Sequence, residues 1–270
     1  MKRDMKISRV WERQPAAPFS GEPGQPALIN PKQEAGEERV SARVIIACTG
    51  PDYQLLSRWV GANQSSRHLW GCRVRSGTWA AQPVTVAGPV LGAPYAAMVL
   101  EKLIALGAKA VLVLGWCGSL QPHVRLGSLV LPKVVRAEDG TSPHYRLGPG
   151  DLTPSPVLCR FLEEYFRQGH AAVPWHAGSV WTTDAFYRET LAAVQYYQGQ
   201  GVLAVDLETA ALFAVGQFRG IAVAGLLAVS DELFRLTWRP GFRSEPLLQA
   251  RKAAVRAALT VLATWKEGYA

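Results

Sequence analysis

Two acidic positions dominate the chemistry this sequence could carry. In residues 203–215, LAVDLETAALFAV, Asp206 and Glu208 flank Leu207 at the junction of an apolar run and a helical one. A carboxylate in the first turn of a helix complements the helix dipole. Glu208, however, is surrounded by apolar neighbours, and a buried, unpaired charge is costly. It needs a partner, and the paired hydroxyls of a ribose would serve. Plain capping of the helix is the alternative. Asp231 follows Ser230 directly after the most apolar run of the chain, residues 221–229. Desolvation there raises a carboxyl's pKa, so that it can donate a proton near neutrality; an N-cap at Ser230 or Asp231 is the competing reading. Residues 180–190, VWTTDAFYRET, gather Phe186, Tyr187 and Arg188 in what reads as a loop. Its rings could stack on a planar base and Arg188 could bond the base's edge, or the loop simply anchors a helix at 188–197.

Two glycine-rich turns complete the set: residues 88–94, GPVLGAP, containing Gly92, and residues 114–119, LGWCGS, containing Gly115 and Trp116. Glycine lets backbone N–H groups approach an anion, and a following helix N-terminus favours negative charge. Tight strand–helix turns also need glycine for steric reasons alone. Neither turn has the spacing of a Walker loop or a dinucleotide fingerprint.

These positions have to be held by a scaffold, and the hydrophobic pattern describes one. Short buried runs at 43–48, 83–87, 110–114, 128–134, 202–205 and 221–229 read as strands. Residues 94–106, 155–168, 208–218 and 247–265 carry helical spacing, the first stopping at Gly107. Residues 49–51, Thr-Gly-Pro, read as a loop after the first strand. Alternating strands and helices, with strands apolar on both faces, predict a single α/β domain over residues 41–270, a twisted, mixed, mostly parallel sheet flanked by helices. Ligands in such sheets bind at the carboxyl ends of the strands, where Gly50, Gly115, Glu208 and Asp231 all fall. Residues 1–40, rich in Pro, Gly, Gln and Glu without periodicity, read as an extended, partly disordered N-terminal arm.

Composition narrows the class. The formal charge is +8 from 29 Lys and Arg against 21 Asp and Glu, but the cations are scattered rather than striped, which argues for small anions over nucleic acid as partners. The cysteines, four in all, are widely spaced and read as buried, reduced thiols; neither a metal site nor a disulfide framework is suggested. No apolar stretch is long enough to span a membrane, and residues 1–13 lack the apolar core of a secretory signal. A cytoplasmic location is expected.

Taken in order, residues 118–127 (GSLQPHVRLG), 138–145 (EDGTSPHY), 181–190 and 205–211 resemble the nucleoside phosphorylase family, which includes uridine phosphorylase, hexameric purine nucleoside phosphorylase and methylthioadenosine nucleosidase. The resemblance covers residues 43–265. It implies that Glu208 holds the ribose 2′- and 3′-hydroxyls with Leu207 against the sugar, that Asp206 stands where many members carry a second glutamate, that Phe186 packs on the base, and that Asp231, beside Ser230, is the acid facing N7 of a purine. Arg243 lies where it could partner that acid. No cofactor is implied; phosphate would be a co-substrate, and a homo-oligomer, a dimer or a hexamer, is expected. The family's phosphate ligands are less well matched. Val113 stands in place of an arginine and Trp116 in place of a small hydroxyl, while the early loop reads Gly50-Pro51-Asp52 with Arg58 the nearest arginine. The nucleophile's surroundings would then be drawn from Gly50, Arg58, Gly92, Gly115 and Trp116, with Arg58, Arg73 or Arg75 rebuilding a phosphate site from another direction. His123 and His144 read as structural. The implied activity is phosphorolysis of a nucleoside, with Asp231 tilting the reading toward a purine base; hydrolysis with water and a non-catalytic nucleoside-binding role are the alternatives.

Overall fold

A computed structural model describes residues 26–61, 66–146 and 151–268. The first 25 positions of the predicted arm lie outside the described residues. Of the arm's remainder, the segment 32–40 runs along one helix of the domain: the Lys102 ammonium binds the Lys32 carbonyl at 2.7 Å and Glu37 at 2.6 Å, and the Val40 N–H donates to the Leu106 carbonyl.

The strands are β1 (Arg43–Ala47), β2 (Arg67–Leu69), β3 (Cys72–Trp79), β4 (Gln82–Gly88), β5 (Ala110–Ser119), β6 (Leu129–Glu138), β7 (Trp175–Thr183), β8 (Ala204–Asp206), β9 (Ala222–Glu232) and β10 (Arg239–Pro240). They form one sheet in the order β10-β9-β6-β7-β8-β5-β1-β4-β3-β2, with β9 also paired to β5. The strands β5, β9, β6, β7 and β8 therefore close on themselves, whereas β1 to β4 extend as an open wing. The pairings β1 with β4 and β5, β5 with β9, and β6 with β7 are parallel, and β8 runs antiparallel to β5.

Helices cover both faces. Alternation along β1 sends Val44 and Ile46 toward α2 (Ala93–Ala105) and α5 (Thr209–Arg219), and Ile45 and Ala47 toward α1 (Gly50–Trp59), α3 (Pro156–Arg167) and α6 (Glu245–Thr264). Each such Val, Leu or Ile that is fully buried contributes roughly 1.5–3 kcal/mol. A smaller cluster, including Trp181, Val194, Tyr197 and Leu233, lies beneath α4 (Leu191–Gly199). No helix among the described residues is long and apolar enough to cross a membrane.

Several local expectations change. Residues 49–51 are not a loop but the start of α1: the Thr49 hydroxyl accepts from the Asp52 N–H and Pro51 occupies the first turn, so the residues that suggested a turn are the helix's own cap. The 114–119 stretch is not a strand–helix turn either. Gly115, Trp116 and Gly118 lie within β5, which continues to Ser119. Glycine is needed there for close packing: a Cβ on Gly115 would stand 2.9 Å from the Leu227 side chain, and one on Gly118 would stand 2.5 Å from Leu233 and 3.0 Å from Asp231. The first half of 180–190 belongs to β7, and only Phe186–Arg188 forms a short 3-10 turn before α4. Strands β2, β3, β7 and β10 had no counterpart in the sequence reading.

Candidate active site

The site assembles around the carboxyl end of β5. That end pairs with two strands at once: Gly118 is opposite Asp231 of β9 and opposite Val205 of β8. A glycine at this junction lets the acid approach, its carboxylate and the Val205 side chain lying 3.0 and 3.3 Å from where a Cβ would be. Asp206 ends β8, and Glu208 caps α5 two residues later. The buried thiols between the strands report the same proximity: Cys117 lies in the field of Asp231 and Asp206, and Cys48 in that of Glu208, Asp206 and Asp52. Glu208, Asp206 and Asp231 thus gather near the carboxyl end of β5.

Asp206 is committed to the fold. One of its oxygens accepts from the Thr182 hydroxyl, the other from the Thr209 hydroxyl and from the N–H groups of Thr209 at 2.9 Å and Glu208 at 3.4 Å. It anchors the first turn of α5, which is the capping alternative rather than a ligand contact. Glu208 is different. It is 4% exposed; its Oε1 accepts the Gly92 N–H at 2.8 Å, and the Cys48 thiol lies against the carboxyl. Gly92 adopts φ 86° as the cap of α2, a conformation that favours glycine and that aims this N–H at the carboxyl. Burial, then repulsion from Asp206, pushes the Glu208 carboxyl up to about 8, against the lowering effect of the Gly92 N–H and the Cys48 thiol. Leu207, half-buried, sits between the two acids.

Asp231 is 3% exposed. The Ser230 hydroxyl donates to its Oδ1 at 2.7 Å, and the Trp238 indole N–H to its Oδ2 at 3.0 Å. Burial raises its proton affinity, and those two donors partly offset the rise. Glu189, half-buried nearby, is pushed up to about 8 by burial and by repulsion from Asp231. Above these acids runs a series of rings: Phe186 meets Trp238 edge-on at 6.2 Å, Trp238 meets Phe242 at 6.1 Å, and Phe242 stacks on Trp116 at 6.1 Å. Trp238 and Phe242 remain 49% and 42% exposed and Tyr187 92%, so this aromatic wall faces solvent.

The remaining sequence candidates divide. Arg188 is exposed next to Tyr187, and its side chain makes no bond among the described residues. Arg243 does not partner Asp231. It is exposed in the turn before α6, without an ion pair among the described residues, and Trp238 occupies the position expected of it. Gly50 opens α1. Val113 is buried in the core. The Trp116 indole N–H donates to Asp52 at 2.7 Å, and Asp52 is ion-paired with Arg251 of α6 at 2.5 Å. Arg58 lies apart from this group, in a cavity shared with Arg73 and Arg75. His123 packs edge-on against His176 at 5.4 Å, and His144 lies in a groove beside α2, both away from the acids. The sequence reading missed Trp238, Phe242, Glu189, Asp52 and Arg251. Trp and Phe at 238 and 242 had a signal, two aromatics in the turn after an acid-terminated strand.

The sequence model described as the phosphorylase superfamily matches residues 42–265. A DeoD-type purine nucleoside phosphorylase of Bacillus cereus is 29% identical over 162 residues, 59% of this chain and 68% of the relative. Its counterpart in Caldanaerobacter subterraneus is 28% identical over 159 residues, 58% and 68% of the two chains. Among solved structures, uridine phosphorylase from Vibrio fischeri superposes with a TM-score of 0.74 at 25% identity, covering 84% of this chain and 93% of that one. Purine nucleoside phosphorylase from Toxoplasma gondii, in complex with immucillin-H, gives 0.76 at 21% identity, covering 88% and 97%.

Proposed function

The chain belongs to the phosphorylase superfamily, and from that premise we propose that it cleaves the N-glycosidic bond of a purine nucleoside, with phosphate as the nucleophile. The observation that carries the purine reading is Asp231, a buried carboxyl of raised proton affinity set beneath an aromatic wall and gathered with Glu208 near the carboxyl end of β5. Glu208 receives the two ribose hydroxyls, whose O–H donors add to the Gly92 N–H that already reaches the carboxyl, and Leu207 lies against the sugar. Phe186 packs on the base, with Tyr187 and Arg188 at its outer edge. Cleavage develops positive charge on the sugar and negative charge on the departing base. Asp231 gives its proton to, or shares it with, the base nitrogen that faces it, and Ser230 and Trp238 hold the carboxyl in place. Such general acid catalysis is worth roughly 10²–10⁴-fold.

Hydrolysis is a second reading, and the nucleophile's side favours it. Val113 is core, and the Trp116 indole and the Asp52–Arg251 pair occupy the ground where a phosphate-binding arginine and hydroxyl were expected. An apolar side chain cannot replace a guanidinium on phosphate. One assay separates the two: base release from adenosine, guanosine, inosine and uridine, with and without phosphate. Phosphorolysis of a purine nucleoside requires phosphate-dependent release with ribose 1-phosphate as co-product. Equal rates without phosphate make the enzyme a hydrolase, and faster release from uridine than from any purine nucleoside removes the role given to Asp231.

A further inference from the structure

On the face of the sheet covered by α1 and α6, a cavity of about 510 Å³ opens between α1 and β3, lined by Tyr53, Gln54, Ser57, Arg58, Arg73 and Arg75. Residues 53, 54, 57 and 58 share one face of α1. Residues 73 and 75 share one face of β3, opposite Gly88 and Val86 of β4. The lining contains three guanidinium groups and no carboxylate. None of the three makes an ion pair among the described residues, although elsewhere Arg219, Arg125 and Arg251 each have an acidic partner. The buried hydroxyls are unsatisfied too. Tyr53 is 3% and Ser57 7% exposed, yet among the described residues neither Tyr53 Oη nor Ser57 Oγ has a hydrogen-bond partner, and Arg75 Nε is likewise buried without one. Buried polar groups are almost always bonded. What the cavity presents is therefore the three unpaired guanidiniums, a concentration of positive charge that favours an anion.

We propose that this cavity binds a phosphate monoester of sugar-phosphate or nucleotide size. A phosphate group offers three terminal oxygens and a charge near −2 at neutral pH, which suits three guanidiniums better than a carboxylate does. Bidentate guanidinium–phosphate geometry adds further selectivity. The volume lies within the range of whole small-molecule sites and would leave a bare phosphate loosely held. The cavity shares no lining residue with the Glu208–Asp231 site, so the proposal is independent of which nucleophile the enzyme uses.

The test is calorimetric titration of the full chain with ribose 5-phosphate, inorganic phosphate and ribose, in four proteins: the unaltered chain, Glu208→Gln, Ser57→Ala, and Arg73→Gln combined with Arg75→Gln. Ribose 5-phosphate is expected to bind the unaltered chain and Glu208→Gln alike, and to weaken as salt is raised. It is expected to bind roughly tenfold or more weakly to the arginine double variant, from the loss of charge-assisted bonds, and unchanged to Ser57→Ala, whose hydroxyl is sealed from the cavity. Ribose should give no heat at this site, and inorganic phosphate should bind more weakly than the ester. If the double variant does not fold, Arg58→Gln at an exposed helix position carries the same expectation of weaker binding. Unchanged affinity in the arginine variants overturns the proposal. So does loss of binding in Glu208→Gln, which would put the ester in the nucleoside site, or inorganic phosphate binding as tightly as the ester with an affinity that falls in the arginine variants.

Discussion

Replacing Glu208 with glutamine tests the electrostatic core of the site without touching a ligand. The substitution is isosteric, and its carbonyl oxygen can still accept the Gly92 N–H. In the folded chain the Glu208 carboxyl titrates near 8 rather than at its usual 4.5. Between these values the folded state holds a proton that the unfolded state has released, so stability falls as pH rises and the loss is complete above 8. The limiting slope is about 1.4 kcal/mol per pH unit, and the ceiling over the interval is about 5 kcal/mol. Relaxation and the coupled Asp206 reduce this, and a difference on the order of 2–3 kcal/mol is expected. Glu189 and Asp231 titrate in the same direction but are present in both proteins, so the difference between variant and parent isolates position 208 and the Asp206 it repels. Urea unfolding at pH 5, 6, 7, 8 and 9 reads it directly. The variant should match its parent near pH 5 and pull ahead steadily up to pH 8–9. A gap that stays flat over that range would mean that Glu208 is an ordinary solvated carboxylate, and the account of a buried acid awaiting ligand hydroxyls would fail.

Three other outcomes follow from the same geometry. Asp231→Asn should cut kcat for base release by roughly 10²–10⁴-fold while leaving the urea midpoint near that of the parent; a loss below fivefold would deny it the acid's role. The donated proton requires Asp231 to be protonated, so activity declines as pH rises through its pKa. Trp238→Phe removes a donor that lowers this pKa, so the basic limb of the pH–rate profile should move to higher pH, and an unmoved limb would show that the indole does not tune the acid. Arg251→Met leaves Asp52 buried without its cation and should cost about 3–5 kcal/mol, a fall in Tm on the order of 10 °C by thermal melting; a fall under 2 °C would show the pair to be expendable.

How much of this was legible depended on whether a residue's task is local. The strand cores at 43–48, 110–114 and 221–229 and the helices at 94–106, 155–168 and 247–265 declare themselves, because runs buried on both faces and apolar stripes of helical period leave little choice. Helix α1 was misread because Thr49, Gly50 and Pro51 signal a turn and a helix start with the same letters. β3, CRVRSGTW, alternates charged with small or apolar residues on an edge covered on one side, a weak pattern beside the central strands. In the site, Glu208 and Asp231 could be found because an acid inside an apolar run is conspicuous. The direction in which Arg243 points could not, since a turn of a few residues fixes it, and the chain instead turns Trp238 inward. The bond between Asp52 and Arg251 spans 199 positions, and no spacing rule reaches that far.

That last pair has a consequence for how the enzyme comes into being. Trp116, on the central strand, is steadied by Asp52 from the first helix, and Asp52 is neutralised only by a side chain from α6, near the far end of the described residues. During synthesis, residues 43–232 can all have left the ribosome while Asp52, beneath Trp116, still lacks its cation. Nucleoside binding should therefore switch on late and abruptly, when residue 251 arrives, rather than grow in step with the sheet.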